Sequence, residues 1–425
     1  MIDSTTARRR LRTGAAVLAT ACAAAAGLAA AGHVPAPSGA LRLSEGAGGC
    51  AAPSGPLAAG PVSFRVTDDS RDFLDVYVIA GRGDDVYAEI QNLPPHATLP
   101  LSTDLGAGSY AVRCVFSDGT TNTSAPLLIS GGSGGSTGAK GSGGSGGAGG
   151  AGAGMGKAGT GGTDEAVPGY PALPDLALQT PVREYSVWVQ ARLPRLLADS
   201  RALDAAVAGQ DRAAAQRAWL TAHLDYERLG AAYNAFGDFD GEIDGMAGGL
   251  PQGVTDSSWT GFFAVEYGLW HGDPLAAVRT LTKRLVTNVS GLIQDFPSEE
   301  VDPGDLALRT HEILENALQF QVTGIADYGS GTSLATVSAN TQGTQELLGI
   351  LAPLIRPRDP QLLAAATAGL ETVQQDLNTL RSAAGQWTPV AQLSTAQRQH
   401  LDADLGQLLE TLADVPNLLY PRTDA

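Results

Sequence analysis

Apolar and polar positions alternate along residues 41–130, and this pattern predicts short β-strands. The clearest runs are 62–66, 75–79 and 85–90, where every second side chain is apolar. Residues 81–84 separate the last two runs and supply a glycine-containing hairpin turn. Several short strands at near-regular spacing are typical of an all-β sandwich.

From residue 170 to residue 425 the apolar spacing changes to three and four residues, which predicts amphipathic helices. Pro and Gly clusters separate the segments. The predicted helices span residues 183–197, 211–236, 260–270, 275–296, 305–323, 333–354, 361–380 and 394–412. The apolar faces of these helices predict a helical bundle with a long acidic loop at 237–253. Long polar loops in compact domains are often functional.

A segment rich in Gly, Ser and Ala, residues 131–165, separates the two patterns. It offers no apolar face to bury and is predicted to be a flexible linker. The chain is therefore predicted to be multidomain, with an all-β domain at 41–130 and an all-α domain at 170–425.

Residues 1–32 have the composition of an export leader, since four arginines at positions 8–12 precede an alanine-rich apolar stretch. Residues 18–22 are similar to a bacterial lipobox ending at Cys22. Lipidation of Cys22 would anchor the mature protein to a membrane, and cleavage near residues 30–32 is the alternative. Either way, the protein is predicted to be exported and to be periplasmic or at the cell surface.

The formal net charge of −17 excludes a nucleic-acid binder, because phosphate neutralisation requires basic patches. It fits a protein that handles cations, or a surface that is acidic for solubility. Cys50 and Cys114 form an even pair in an exported chain, so a disulfide is predicted. Blue copper needs two histidines and a thiolate, whereas residues 41–130 contain the single histidine His96.

Two predicted helices each carry a His and a Glu four residues apart, His223/Glu227 and His311/Glu315. This spacing places both side chains of a pair on one helix face. Two such faces turned toward each other in a bundle would form a metal pocket. A single pair of this kind is also common on helix surfaces, where it contributes only a small stabilisation.

Further carboxylates lie nearby in the sequence, with Asp244 closing the acidic loop and Glu266 on the next predicted helix. Carboxylates favour hard cations and Fe³⁺, and imidazole adds affinity for Fe²⁺, Cu²⁺ and Zn²⁺. Residues 311–315 read HEILE, so the zinc-peptidase pattern H-E-x-x-H lacks its second histidine. Peptidase chemistry is therefore not predicted.

Five segments of the helical half carry specific motifs: HLDYERLG at 223–230, FGDFDGEIDG at 236–245, GFFAVEYGLW at 261–270, HEILE at 311–315 and DYGSGT at 327–332. Through these motifs the helical half resembles the imelysin-like (M75 peptidase-like) domain of the EfeO/EfeM family of bacterial iron-uptake proteins. Through Cys50, the strands near 75–78 and 86–92, and residues 108–114, the β half resembles the cupredoxin-like domain of the same family.

The resemblance implies a metal-binding component of an iron-uptake system that captures Fe³⁺ or Fe²⁺ outside the membrane, with Cu²⁺ or Zn²⁺ as alternative ions. It implies an EfeU-like iron permease and an EfeB-like haem peroxidase as partners. Family metal-ligand positions match Glu227, Asp244 and Glu315, with His311 beside them, and Glu266 matches the glutamate of the H-x-x-E motif.

The chain departs from the family pattern at Phe263 and Ala264, where the motif G-F-H-R-x-E has His and Arg. Phe cannot bind a metal, so either the site lies on Glu227, Asp244 and Glu315 or the affinity and the choice of metal have changed. A second departure is Gly230, where some members of the family carry a further carboxylate, and His223 and His311 are expected to compensate. An M75-type metallopeptidase and a surface protein that binds a polysaccharide or siderophore through a metal remain the alternative functions.

Overall fold

The computed structural model describes residues 39–43, 49–53, 55–130, 169–171, 173–299 and 301–420. The predicted leader with Cys22 and the predicted linker at 131–165 lie outside these ranges. In the described part of the chain no helix has both the length and the apolar character needed to cross a bilayer.

The N-terminal region forms two β-sheets. The described strands are β1 Gly39–Leu43, β2 Leu57–Ala58, β3 Gly60–Asp68, β4 Leu74–Ala80, β5 Val86–Leu93, β6 Thr98–Leu105, β7 Gly108–Phe116, β8 Thr121–Thr123 and β9 Leu127–Ser130. One sheet has the strand order β1-β3-β6, and the other has the order β2-β9-β7-β4-β5 with β8 paired to β7.

Alternating side chains of the two sheets form one buried cluster. Val62 and Phe64 of β3 belong to it together with Val76 of β4 and Val112 of β7. A disulfide between Cys50 and Cys114 ties the segment after β1 to β7. The expected all-β sandwich followed by an all-α domain is confirmed.

The C-terminal region is helical, and four of its described helices begin with a side-chain cap. Asp211, Asp302 and Asp359 accept backbone N–H groups at the starts of their helices, and Ser394 forms a capping box. The described helices are α1 Asp175–Ala208, α2 Arg212–Glu227, α3 Asp238–Asp244, α4 Gly261–Trp270, α5 Leu275–Asp295, α6 Pro303–Asn316, α7 Ser333–Ile355, α8 Pro360–Thr379, α9 Thr395–Leu412 and α10 Asp414–Leu419.

Two predicted elements differ from the structure around α2. The helix expected at 211–236 ends at Glu227 and is followed by a 3₁₀ segment, Gly230–Phe236. Gly230 packs against Ile313 of α6, where a Cβ would lie 3.0 Å from a side-chain carbon. The loop expected at 237–253 contains the short helix α3.

Buried aromatic side chains join α2 to α4. Trp219 is almost fully buried, and its indole N–H donates to the carbonyl oxygen of Phe262 over 2.8 Å. His223 lies one turn further along α2 and stacks on the Trp219 ring. This packing brings the end of α2 next to α4.

The start of α4 depends on glycine, because Gly261 has φ +86° and lies against α3. A Cβ at this position would collide with the carbonyl oxygen of Ile243. We expect Gly261→Ala to lower the free energy of unfolding by at least about 1–2 kcal/mol, from the left-handed backbone alone. Denaturant unfolding measures this change.

Gly349→Ala is the matched control, since Gly349 lies in α7 with open space around its Cα. Alanine in a helix interior should stabilise by roughly 0.5–1 kcal/mol. Equal effects at both positions would contradict the packing of α3 against α4.

Candidate metal centre

Three side chains from α2 and α3 converge on one point. The Nε2 atom of His223 lies 2.9 Å from Oε1 of Glu227 and 3.4 Å from Oδ1 of Asp244. One donor atom from each residue fits within a 4.8 Å span. His223 and Glu227 are 1% and 5% exposed, so the group is buried.

The burial of His223 and Glu227 follows from the apolar stripe of α2. Ala215, Trp219, Ala222 and Tyr226 form that stripe at helical spacing, and His223 and Glu227 continue it at i+4 steps. The Glu227 carboxylate is then oriented from the other side. Asn340 of α7 donates to Glu227 Oε2 over 2.8 Å and to its backbone carbonyl oxygen over 3.1 Å.

Asp244 reaches the group because α3 is anchored by the fully buried Ile243. Both carboxylates are the last residues of their helices, Glu227 in α2 and Asp244 in α3. A helix C-terminus carries partial negative charge. The two ends therefore add to the negative potential of the carboxylates, which favours a bound cation.

Several buried polar atoms of the group have no well-aligned hydrogen-bond partner. They are Nδ1 and Nε2 of His223 and Oδ1 of Asp244. The 2.9 Å approach of His223 to Glu227 is therefore a close contact of charges rather than a directed hydrogen bond. Unpaired buried donor atoms are costly, and a metal ion between them would satisfy them. The residues present thus fit a metal site with one nitrogen and two carboxylate ligands.

The electrostatics of the three groups are coupled. Burial opposes protonation of His223, but the adjacent carboxylates of Asp244 and Glu227 outweigh it and raise its pKa to about 10. Burial and the charge of Glu227 raise the pKa of Asp244 to about 7. Without a metal, a proton on His223 is thus the cation that neutralises the carboxylates at neutral pH.

A cavity of about 300 Å³ opens onto the group. Its wall includes the carboxylates of Glu227, Asp240 and Asp244. His223 contacts Glu227 and Asp244 and reaches the cavity through them. The remaining wall of the cavity is mixed and includes Tyr233, Met246, Phe263, Arg309, Ile313, Phe320 and Asn340. A cavity of this size can hold an ion together with water molecules or a small chelating anion.

Phe263 occupies the place where the family motif has histidine. Its ring lines the cavity, and its centroid lies 5.4 Å from that of His223. His223 thus supplies an imidazole where Phe263 cannot. Glu266 is buried in the same helix, but its Oε1 accepts N–H groups from Tyr328 and Ser330 over 3.1 and 2.9 Å. Glu266 therefore holds the loop before α7.

The second His/Glu pair does not join the first. His311 Nδ1 lies 3.6 Å from Glu315 Oε2, and the Glu315 side chain is 43% exposed. From α6 the cavity is lined instead by Arg309, Ile313 and Asn316. His311 and Glu315 fall on a different face of α6 from these residues. The expectation that the two pairs face each other across one pocket is therefore wrong in this structure.

Sequence reasoning did not assign several polar residues of the cavity to the site, among them Tyr233, Asp240, Arg309 and Asn340. The i, i+4 spacing of Asp240 and Asp244 was a usable signal, because both lie on one face of α3. Burial raises the pKa of Asp240, against a hydrogen bond from the Tyr226 hydroxyl over 2.7 Å. Asn340 comes from a distant helix, and no local pattern links it to Glu227.

Comparison with known proteins agrees with this fold. The family model for imelysin (peptidase M75) matches residues 181–415, more than half of the chain, and the chain belongs to this family. It is similar to the iron uptake system component EfeO of Yersinia pseudotuberculosis serotype I (strain IP32953), with 24% identity over 362 residues, 85% of this chain and 86% of that protein. The corresponding protein of Escherichia coli K12 is 22% identical over 361 residues, 85% of this chain and 86% of its own length.

The aligned lengths exceed the helical half, so the similarity extends into the β-region. The resemblance to the EfeO family is confirmed, and a role in iron uptake is supported by the names of these relatives.

A pH-dependent stability is expected from Glu266. Burial raises its pKa to about 7, against hydrogen bonds from Ser330. The pKa of Glu266 is near 4.5 in the unfolded chain and about 7 in the folded protein. Between these two pH values the folded state binds more protons than the unfolded state, so the contribution of Glu266 to the free energy of unfolding falls as the pH rises. Gln can accept the same two N–H groups without ionising.

We expect Glu266→Gln to gain stability relative to the natural protein as pH increases from about 5 to 8. Urea unfolding in the presence of EDTA measures this difference without a contribution from metal. A difference that stays constant across that range would show that Glu266 is not the source.

Proposed function

We propose that this protein is an extracytoplasmic iron-binding component of an EfeUOB-type uptake system. It captures one iron ion at His223, Glu227 and Asp244 and delivers it to an EfeU-like membrane permease, with an EfeB-like haem peroxidase in the same system. The observation that carries the proposal is the convergence of His223, Glu227 and Asp244 at the cavity wall, where Nε2 of His223 and Oδ1 of Asp244 have no aligned hydrogen-bond partner. The relatives named as iron uptake system components support the choice of iron as cargo.

The donor set suits an ion of intermediate hardness. Two carboxylates favour Fe³⁺, and one imidazole retains affinity for Fe²⁺, with Cu²⁺ and Zn²⁺ as the competing ions. Three protein ligands leave further coordination positions, which the cavity can fill with water or a small anion. The protein therefore binds iron without enclosing it completely, as a carrier that must release its cargo requires.

Binding exchanges protons for metal. The proton on His223 must leave when Nε2 binds an ion, and a proton on Asp244 must leave at pH values near or below about 7. Affinity therefore falls as the pH falls. Protonation, a change of iron oxidation state and docking to the permease are three routes of release that this arrangement allows.

The same arrangement supports a non-catalytic role. The segment closest to a zinc-peptidase motif, residues 311–315, places His311 and Glu315 on a face of α6 that does not line the cavity. A metallopeptidase would instead hydrolyse a protein substrate and lose that activity with EDTA. A polysaccharide- or siderophore-binding protein would bind such a ligand only with metal present.

We expect Glu227→Gln combined with Asp244→Asn to weaken iron binding at least a hundredfold, because only His223 remains as a ligand. Calorimetric titration with Fe²⁺ under anaerobic conditions and with Fe³⁺-citrate measures the affinity. Both replacements preserve side-chain shape, and thermal unfolding in EDTA checks that the fold persists.

Glu315→Gln is the matched control, because it removes the same charge from an exposed position on α6. It should bind iron as tightly as the natural protein. Loss of binding in this control, with retention in the double variant, would move the site to α6 and contradict the proposal.

A further inference from the structure

A second group of donor atoms lies between α8 and α9, away from the cavity. Asp376 of α8 faces His400 and Asp404 of α9, which are one turn apart. His400 Nε2 lies 3.4 Å from Oδ1 of Asp376, and its Nδ1 lies 3.4 Å from Oδ2 of Asp404. One donor atom from each residue fits within 4.8 Å of the others, as in the group at α2 and α3.

The two carboxylates of this group are incompletely satisfied. Oδ2 of Asp376 and Oδ2 of Asp404 are shielded from solvent and have no hydrogen-bond partner. The side chains are only 18% and 27% exposed, while His400 is 67% exposed. Burial, followed by the neighbouring Asp404, raises the pKa of Asp376. Two like charges are thus packed together between helices, an arrangement that a bound cation would stabilise.

We propose that Asp376, His400 and Asp404 form a second metal site that takes a divalent transition-metal ion of the Zn²⁺ class. The donors are an imidazole and two carboxylates, a ligand set that Zn²⁺ accepts in proteins. Each His400 nitrogen lies 3.4 Å from an oxygen of one aspartate, close to the spacing of about 3.4 Å between two ligands at about 2.1 Å in a tetrahedral site. The other aspartate lies within the 4.8 Å span of the group. One of the two His400 nitrogens binds the ion, and the exposed side of the group leaves positions for water.

The site joins helices that are separate in sequence. Asp376 lies near the end of α8, and His400 and Asp404 lie toward the middle of α9, after an irregular connection. An ion bound to all three would stabilise the packing of α8 on α9, because it binds the folded state only. Its role would be structural, since none of the three residues lines the cavity at α2 and α3.

A protonated His400 that neutralises both aspartates is the competing account of the same geometry. It predicts that His400 stabilises the metal-free protein and that Zn²⁺ has no effect there. The two accounts differ in a measurable way, because only a metal site couples stability to Zn²⁺ concentration.

The test is calorimetric titration of the full chain with Zn²⁺, in a background of Glu227→Gln and Asp244→Asn that weakens the first site. We expect this background to bind one Zn²⁺ and to gain thermal stability with it. His400→Gln and Asp404→Asn should each weaken that binding by at least about tenfold, since even the loss of a group that only supports a ligand costs this much.

Asp402→Asn is the matched control, because it removes a charge from the same helix two residues away, on another face. It should leave Zn²⁺ binding unchanged. The proposal is overturned if the background binds no Zn²⁺, or if His400→Gln and Asp404→Asn leave the affinity intact. Because the background lacks the carboxylates proposed for iron, failure of iron capture and failure of this site remain distinguishable.

Discussion

The burial of two carboxylates beside one imidazole is the constraint on which the site in this molecule depends. His223, Glu227 and Asp244 are held out of water at the ends of two helices, where each carboxylate also meets the negative end of a helix dipole. Such a group needs a cation. A proton on His223 supplies that charge in the metal-free protein, and an iron ion would supply it in the proposed loaded state.

The surrounding fold serves to keep these three side chains in place. Trp219 fixes α2 against α4, Ile243 fixes α3 in the core, and Asn340 reaches from α7 to hold Glu227. Glu266, which is also buried, fixes the loop that leads into α7. The cavity is thus built by helices whose contacts with the site are few and specific.

The sequence allowed the two-domain architecture to be predicted, because both hydrophobic periods are long and the glycine-rich segment between them is distinct. It also singled out His223, Glu227 and Asp244, which the structure brings together. His311 and Glu315 have the same i, i+4 spacing as His223 and Glu227. This spacing shows only that the two side chains of a pair lie on one face of their helix. The phase of the apolar stripe decides where that face points.

That phase differs between the two helices. In α2, His223 and Glu227 lie on the same buried face as Trp219 and Tyr226. In α6 the buried face contains Leu306, Thr310 and Ile313. His311 and Glu315 lie on a different face of that helix. The contribution of Asn340 could not be predicted, because it lies 113 residues from Glu227 and the contact exists only in the folded chain.

The most direct measurement is anomalous X-ray diffraction at the iron edge from crystals of the iron-loaded protein. The account predicts an anomalous peak within about 2.0–2.3 Å of His223 Nε2 and of oxygens from Glu227 and Asp244. A peak beside His311 and Glu315, with none at the end of α2, would contradict it.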